Sequence, residues 1–224
     1  MIIEFIGLPA CGKTTISKSI HELKYISGKE IIYPLHEIYR KSWFCRNMMK
    51  FVDVTASICS HPVISIQLFK LIHEARPGVK QLCKRYFNCQ FLYSQINKYR
   101  NHKGFVIFDE GILHHAWSIV VRAKSRLDIK FFLDLYGEYE MKLIYVNCDL
   151  GIIDERIKKR KIAKNSRHTH SLSDLTYRDT KLKEEIMKNG CLFEKKINTL
   201  SLDNDNKTDL ERNINSIISW ISEK

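Results

Sequence analysis

Apolar residues recur along this chain in two rhythms, one of strands and one of helices. Met1-Ile2-Ile3-Glu4-Phe5-Ile6 is a short apolar run of strand type, and Ile16, Ile20 and Leu23 then return at helical spacing. Ile31-Ile32-Tyr33 predicts a second short strand, closed by Pro34. From there to about residue 100 the pattern is helical. Segment 36–58 carries Ile38, Trp43, Phe44, Met48, Phe51 and Val52. Pro62 can start another helix, with Ile64, Leu68, Leu71 and Ile72 inward, and Arg76-Pro77-Gly78 breaks it. Leu82, Tyr86, Cys89, Leu92, Ile96 and Tyr99 line one face of a third. This is more helix than a crossover between two strands needs. No Pro/Ser/Gly-rich linker sets it apart, so 36–100 reads as a helical insertion within a single domain spanning 1–224.

Phe105-Val106-Ile107-Phe108 and Leu143-Ile144-Tyr145-Val146 read as buried parallel strands. Helices are expected at 112–123, around 128–140, at 150–162 with Asp149 as cap, and at 173–189 ending on Gly190. The last strand lies between Lys196 and Leu202, and Leu210, Ile214, Ile217, Ile218 and Ile221 form the stripe of a final helix. Strands separated by helices predict an α/β fold: a parallel sheet with right-handed crossovers.

One loop gives this scaffold a chemistry. Gly7-Leu8-Pro9-Ala10-Cys11-Gly12-Lys13-Thr14 reads G-x-x-x-x-G-K-T, between the first strand and the first helix, the context a phosphate-binding P-loop requires. Gly7 and Gly12 let the backbone turn so that successive N–H groups wrap a phosphate. Lys13 supplies a point charge for the β- and γ-phosphates. The Thr14 hydroxyl can ligate Mg²⁺. The expected nucleotide contacts are Gly7, Ala10, Cys11, Gly12, Lys13, Thr14 and Thr15, the expected ligand ATP with Mg²⁺. Asp109 and Glu110 follow the third strand, at the carboxyl end, where ligands of open α/β sheets sit. Asp109 is the expected metal-side acid or general base, and Glu110 is the alternative base; a capping acid and a solvated neighbour are their bland readings. Arg156 and Arg160 lie one helical turn apart and face the same way, against the bland reading of a solvated basic face.

The formal net charge of +12 admits an anionic partner, either nucleic acid or several phosphates on a small molecule. The basic residues are spread along the chain, with one concentration at 156–167 and no aromatic-interleaved recognition signature, so nucleic acid is the lesser reading. Seven cysteines without a C-x-x-C pair fit reduced thiols. His114, His115, His168 and His170 lack companions at zinc-ligand spacing and read as polar helix and loop residues. No apolar run approaches the ~20 residues of a membrane span, and no signal peptide is visible, so a cytoplasmic protein without a membrane partner is expected.

The P-loop, the Asp109-Glu110-Gly111 strand end, the Arg156-x-x-x-Arg160 pair and the closing strand with Asp203 together resemble the P-loop kinases of the nucleoside and nucleotide kinase type, near the thymidylate kinases. The resemblance implies the three-layer P-loop NTPase fold, with a five-stranded parallel sheet in the order 2-3-1-4-5. It also implies a mobile basic lid at about 156–178, whose Arg156 and Arg160 touch the adenine and the phosphates. It implies an ATP-dependent phosphoryl transfer to a small molecule chosen by the insertion, where Arg46, Arg76 and Arg85 are candidates for an acceptor anion. One position departs from the family: thymidylate kinases tend to carry Asp-Arg at the third strand, and this chain has Asp109-Glu110. The expected acceptor is a nucleoside or nucleotide. The alternatives are a sugar or other small hydroxyl metabolite, or the 5′-hydroxyl of a polynucleotide.

Overall fold

The structure, a computed structural model, describes residues 1–75, 78–120, 131, 139, 141–164, 177, 180, 198–206 and 208–222, with the side chains of 117, 120 and 160–164 left out. Six strands form one sheet: β1 Ile2–Ile6, β2 Tyr25–Ile26, β3 Lys29–Ile32, β4 Phe105–Phe108, β5 Met141–Asn147 and β6 Asn198–Asp203. Their order is β2-β3-β4-β1-β5-β6. The expected five-stranded, all-parallel sheet in the order 2-3-1-4-5 is therefore corrected. The added strand is β2, which pairs antiparallel with β3 through Tyr25↔Glu30 and Ile26↔Lys29. The turn between them is Ser27-Gly28, at φ 50° and 74°, the positive-φ pair of a two-residue hairpin. Two residues are too few to show a period in sequence.

β1 lies at the centre, parallel to β4 on one side and to β5 on the other. All of its residues are buried, as are those of β4. Helix α1 (Lys13–Glu22) follows β1, and α8 (Thr208–Ser222) closes the chain against it, with Ile217 and Ile221 inward. Between them in sequence come α6 (Ile112–Val120) after β4 and α7 (Leu150–Lys164) after β5. Asp149 caps α7 as expected: its Oδ1 accepts from the Gly151 and Ile152 N–H groups at 2.8 and 3.3 Å.

The long connection from β3 to β4 is α2 (Pro34–Tyr39), α3 (Trp43–Ser60), α4 (Pro62–Glu74) and α5 (Val79–Tyr99). The expected helix over 36–58 is two helices. Pro34, read as the stop of a strand, is the first residue of α2, where its missing N–H costs nothing. A new start at Ser42, whose Oγ accepts from the Cys45 N–H, separates α3 from α2. Both α3 and α4 pack on α5. The seam is partly polar: Gln90 Nε2 donates to Ser57 Oγ at 2.9 Å and to Ser65 Oγ at 2.8 Å, and Gln95 Nε2 donates to Asp53 at 2.7 Å. The expected helices at 128–140 and 173–189 and the lid beyond residue 164 fall largely outside the described residues.

Candidate active site

The phosphate loop leaves β1 on backbone that few residues tolerate. Gly7 and Gly12 have φ of 153° and 108°. A Cβ on Gly7 would run into the Val146 carbonyl, and one on Gly12 into the Asn204 side chain. Only glycine fits the conformation and the space at both. Gly12 then starts α1 without a side-chain cap and without an acid in the first turn, which leaves the helix's first N–H groups and its positive end for an anion. Lys13 is buried, and its Nζ donates to the Gly7 and Leu8 carbonyls, both at 2.9 Å. The ammonium thus lies folded into the loop that it serves.

Asp109 and Glu110 continue β4 past its carboxyl end and divide the work between them. The Thr14 hydroxyl donates to Asp109 Oδ2 at 2.8 Å. The buried Tyr33 hydroxyl also bonds to Asp109, and burial first, then this carboxylate, push the phenol well above its usual range. Asp109 is thereby held on the loop side. Glu110 is tied to neither Thr14 nor Tyr33 by any recorded bond. Its carboxyl is raised by burial and by Asp109, against the pull of Lys13. Glu4 fixes the segment that follows the two acids: its buried carboxyl group accepts the Leu113 and His114 N–H groups, binding β1 to the first turn of α6. Burial pushes that carboxyl up to about 8, against those backbone donors.

Beyond the acids lies a cavity of about 200 Å³. It is lined by Asp109, Glu110 and His115, by Tyr39 and Lys50, and by Asn88 and Phe91 of α5. Lys50 stands over the Tyr39 and Phe91 rings, 4.7 and 5.0 Å from their centroids, and burial and then Arg46 lower its pKa. Burial, followed by Lys50, lowers His115 to about 4, so the imidazole is neutral at pH 7. His114 is also held neutral by burial, so its 3.8 Å approach to Glu110 is a polar contact between a neutral ring and a carboxyl group.

The sequence candidates separate here. Gly7, Ala10, Cys11, Gly12, Lys13, Thr14 and Thr15 form the loop and the start of α1, with Asp109 bonded to Thr14. Arg156 reaches the outer side of the loop. Its guanidinium approaches the Ala10 and Cys11 carbonyls at 3.5 Å and donates to the Asn204 and Asp205 carbonyls at 3.1 and 3.0 Å. Asn204 Nδ2 fastens the same corner to the Cys11 carbonyl at 2.7 Å. Arg46 stands 5.7 Å from the ring centroid of Tyr39, a cavity residue, and does not itself line the cavity. Arg85 sits a turn before Asn88 on α5 and does not line the cavity. The side chain of Arg160 and all of Arg76 lie outside the described residues.

Sequence reading missed Lys50, Asn88, His115 and Asn204. His115 was read as a polar helix residue; its place directly after Asp109-Glu110-Gly111 was the available signal. Trp43 and Phe44, at the start of α3, are 71% and 67% exposed and do not line the cavity.

The chain has a nucleoside kinase fold. It aligns with deoxyadenosine kinase from M. mycoides bound to dCMP and dCDP at a TM-score of 0.56 and 19% identity, over 98% of this chain and 100% of that one. The same enzyme with dATP gives a TM-score of 0.50 and 20% identity, over 97% and 99%. The YorR protein of Bacillus subtilis gives 0.47 and 18%, over 99% and 96%. No sequence profile of a known family and no curated protein matches the chain.

Proposed function

We propose that this chain is a kinase that transfers the γ-phosphoryl group of ATP to a hydroxyl of a nucleoside. The observation that carries the reading is the cavity that Asp109 and Glu110 line together with Tyr39, Lys50, Asn88 and Phe91 of the helical insertion. The M. mycoides enzyme of the same fold is a deoxyadenosine kinase seen with dCMP, dCDP and dATP, which supports a nucleoside acceptor and a nucleoside triphosphate donor.

Phosphoryl transfer asks for positioning and neutralised charge more than for covalent chemistry. Lys13 exchanges its two carbonyl partners for phosphate oxygens. The Thr14 hydroxyl and the Asp109 carboxylate, hard oxygen donors 2.8 Å apart, suit Mg²⁺ and would hold it. When bound, the ion neutralises charge on the phosphates. Glu110 faces the cavity and takes the proton of the acceptor hydroxyl. Tyr39 and Phe91 offer flat faces to a base, and Asn88 offers an amide for hydrogen bonds to its edge.

The charge at the transfer end favours a neutral acceptor over a nucleoside monophosphate. Two carboxyl groups and a neutral imidazole stand there, and the Lys50 ammonium is committed to two aromatic faces. A phosphate would enter against like charge. A screen with labelled ATP against nucleosides, nucleoside monophosphates, sugars and 5′-hydroxyl oligonucleotides tests this. Nucleosides should be labelled and monophosphates left untouched. Labelling of monophosphates or oligonucleotides alone would overturn the acceptor assignment.

A further inference from the structure

No single helix among the described residues is long and apolar enough to cross a membrane. The insertion nevertheless exposes an apolar face that the catalytic reading does not use. Trp43, Phe44, Phe51 and Val52 on α3 and Val63 and Ile66 on α4 are each between 55% and 71% exposed. On α4, Val63 and Ile66 lie on the side away from the buried Ser65, Leu68 and Ile72. On α3, Val52 lies opposite the buried Val54 and Ser57, Phe44 and Phe51 flank that stripe, and Trp43 continues it in the exposed first turn. Gln90 of α5 bonds to both Ser57 and Ser65, so the two helices rest on the same part of α5. An apolar surface of this extent marks an interaction site. Together α3 and α4 are apolar enough for a membrane span, yet they bend through 109° at their junction. Such a pair does not cross a bilayer as a rod; it can lie along one.

The charge around the face selects the occupant. Residues 40–85 contain nine Lys and Arg against two acids, Asp53 and Glu74, while the whole chain has 37 against 25; of the nine, Lys50 lines the cavity, Arg46 stands beside its Tyr39, and Arg76 lies outside the described residues. More than half of the excess positive charge thus sits in this stretch. From Val54 to Phe69 there is no charged residue. Asp53 is turned inward onto Gln95. Arg40 and Lys41 at one end, and Lys70, Lys80 and Lys84 at the other, are exposed. Aromatic and aliphatic residues framed by Lys and Arg are the pattern of helices that lie in the interface of an anionic bilayer. A second copy of the chain would bring the same excess of positive charge against itself, which disfavours a dimer on this face.

We infer that the α3–α4 face of the insertion docks the protein on an anionic lipid surface, with Trp43, Phe51 and Ile66 entering the headgroup boundary and the flanking lysines and arginines meeting the phosphates. The face is distinct from the cavity, so the proposal stands or falls independently of the kinase reading.

Sedimentation of the full-length protein with vesicles of phosphatidylcholine alone, and of phosphatidylcholine with phosphatidylglycerol, tests it. The protein should pellet with the anionic vesicles, remain in solution with the neutral ones, and be released as salt rises. Its tryptophan emission should shift to the blue on binding, and Trp43→Phe should remove that shift. Phe51→Ser with Ile66→Ser should weaken binding by about tenfold or more and leave vesicle-free turnover unchanged. Lys80→Glu with Lys84→Glu, which keeps the apolar face intact, should weaken binding by about tenfold as well. Failure to pellet with anionic vesicles overturns the proposal, as does equal binding to neutral ones. A dimer in solution that Phe51→Ser with Ile66→Ser dissolves would overturn it too, assigning the face to a second copy.

Discussion

Around β4 and in the insertion, the same apolar residue types meet opposite fates. Phe105, Val106, Ile107 and Phe108 are all at or below 2% exposure, and the residues after them, Asp109 and Glu110, are set by that rigid core. In α3, Trp43, Phe44, Met48, Phe51 and Val52 all stay at the surface, and Val54 is the apolar residue that is buried. A central strand has both faces covered by helices, so every apolar residue on it is buried. In the insertion α3 and α4 pack on α5 and on each other, and each buries only the stripe that meets those neighbours. The strand end that carries Asp109 and Glu110 is therefore built where packing leaves no freedom, and the exposed apolar residues are carried by helices with a free face.

The loop side should give the largest effect. Lys13→Ala removes the loop's own cation and should take turnover below detection, with circular dichroism and thermal unfolding close to those of the parent. Turnover near the parent value would show that the phosphate site lies elsewhere.

The two acids come next. Glu110→Gln should lower kcat by roughly 10²–10⁴-fold, the span of a lost general base, with little change in the Mg²⁺ dependence. Asp109→Asn should also lower kcat and shift the Mg²⁺ requirement upward, because its partner is Thr14. If Asp109→Asn changes only kcat and Glu110→Gln moves the Mg²⁺ requirement, the roles are reversed.

The two faces of the insertion can be weighed against each other by unfolding. Ile72→Ala, at a fully buried site on α4, should cost about 2–5 kcal/mol. Phe51→Ser, on the free face of α3, should fall within about 0.5 kcal/mol. Comparable losses from the two would mean that the α3 face is covered in the free protein.

The last comparison concerns Glu4, which joins β1 to α6. Its folded-state pKa is raised from the ordinary 4.5 to about 8, so between those values the folded chain holds a proton that the unfolded chain has lost. Its contribution to stability is complete below about 4.5, declines as pH rises, and is gone above about 8. Denaturant midpoints should therefore fall more steeply over that range in the parent than in Glu4→Gln, which cannot titrate. Parallel pH profiles for the two proteins would contradict the raised pKa.

Much of the fold could be read in order along the chain. The P-loop, the breaks at Pro62 and Gly78, the β4 strand ending on Asp109 and the Asp149 cap all have local causes: a required φ, a missing N–H, a continuous apolar run, a side chain within reach of its own helix. The two-residue β2 was missed because it owes its existence to Ser27-Gly28 and to the partner strand. Pro34 was taken for a stop because the same residue closes strands and opens helices.

The sequence by itself determined the phosphate loop and the alternation of strands and helices, because those depend on residues adjacent in the chain. Which acid belongs to Thr14 was decided only by the tertiary structure. Asp109 and Glu110 are neighbours of the same charge that line the same cavity, and the difference between them is the hydroxyl of Thr14, 95 residues away, which bonds to Asp109. Tertiary packing also placed Lys50, Asn88 and His115, drawn from three helices, around a single space. It likewise decided which apolar stripe of α3 meets α5 and which is left outside, since an amphipathic pattern records that a face is apolar and does not record what covers it.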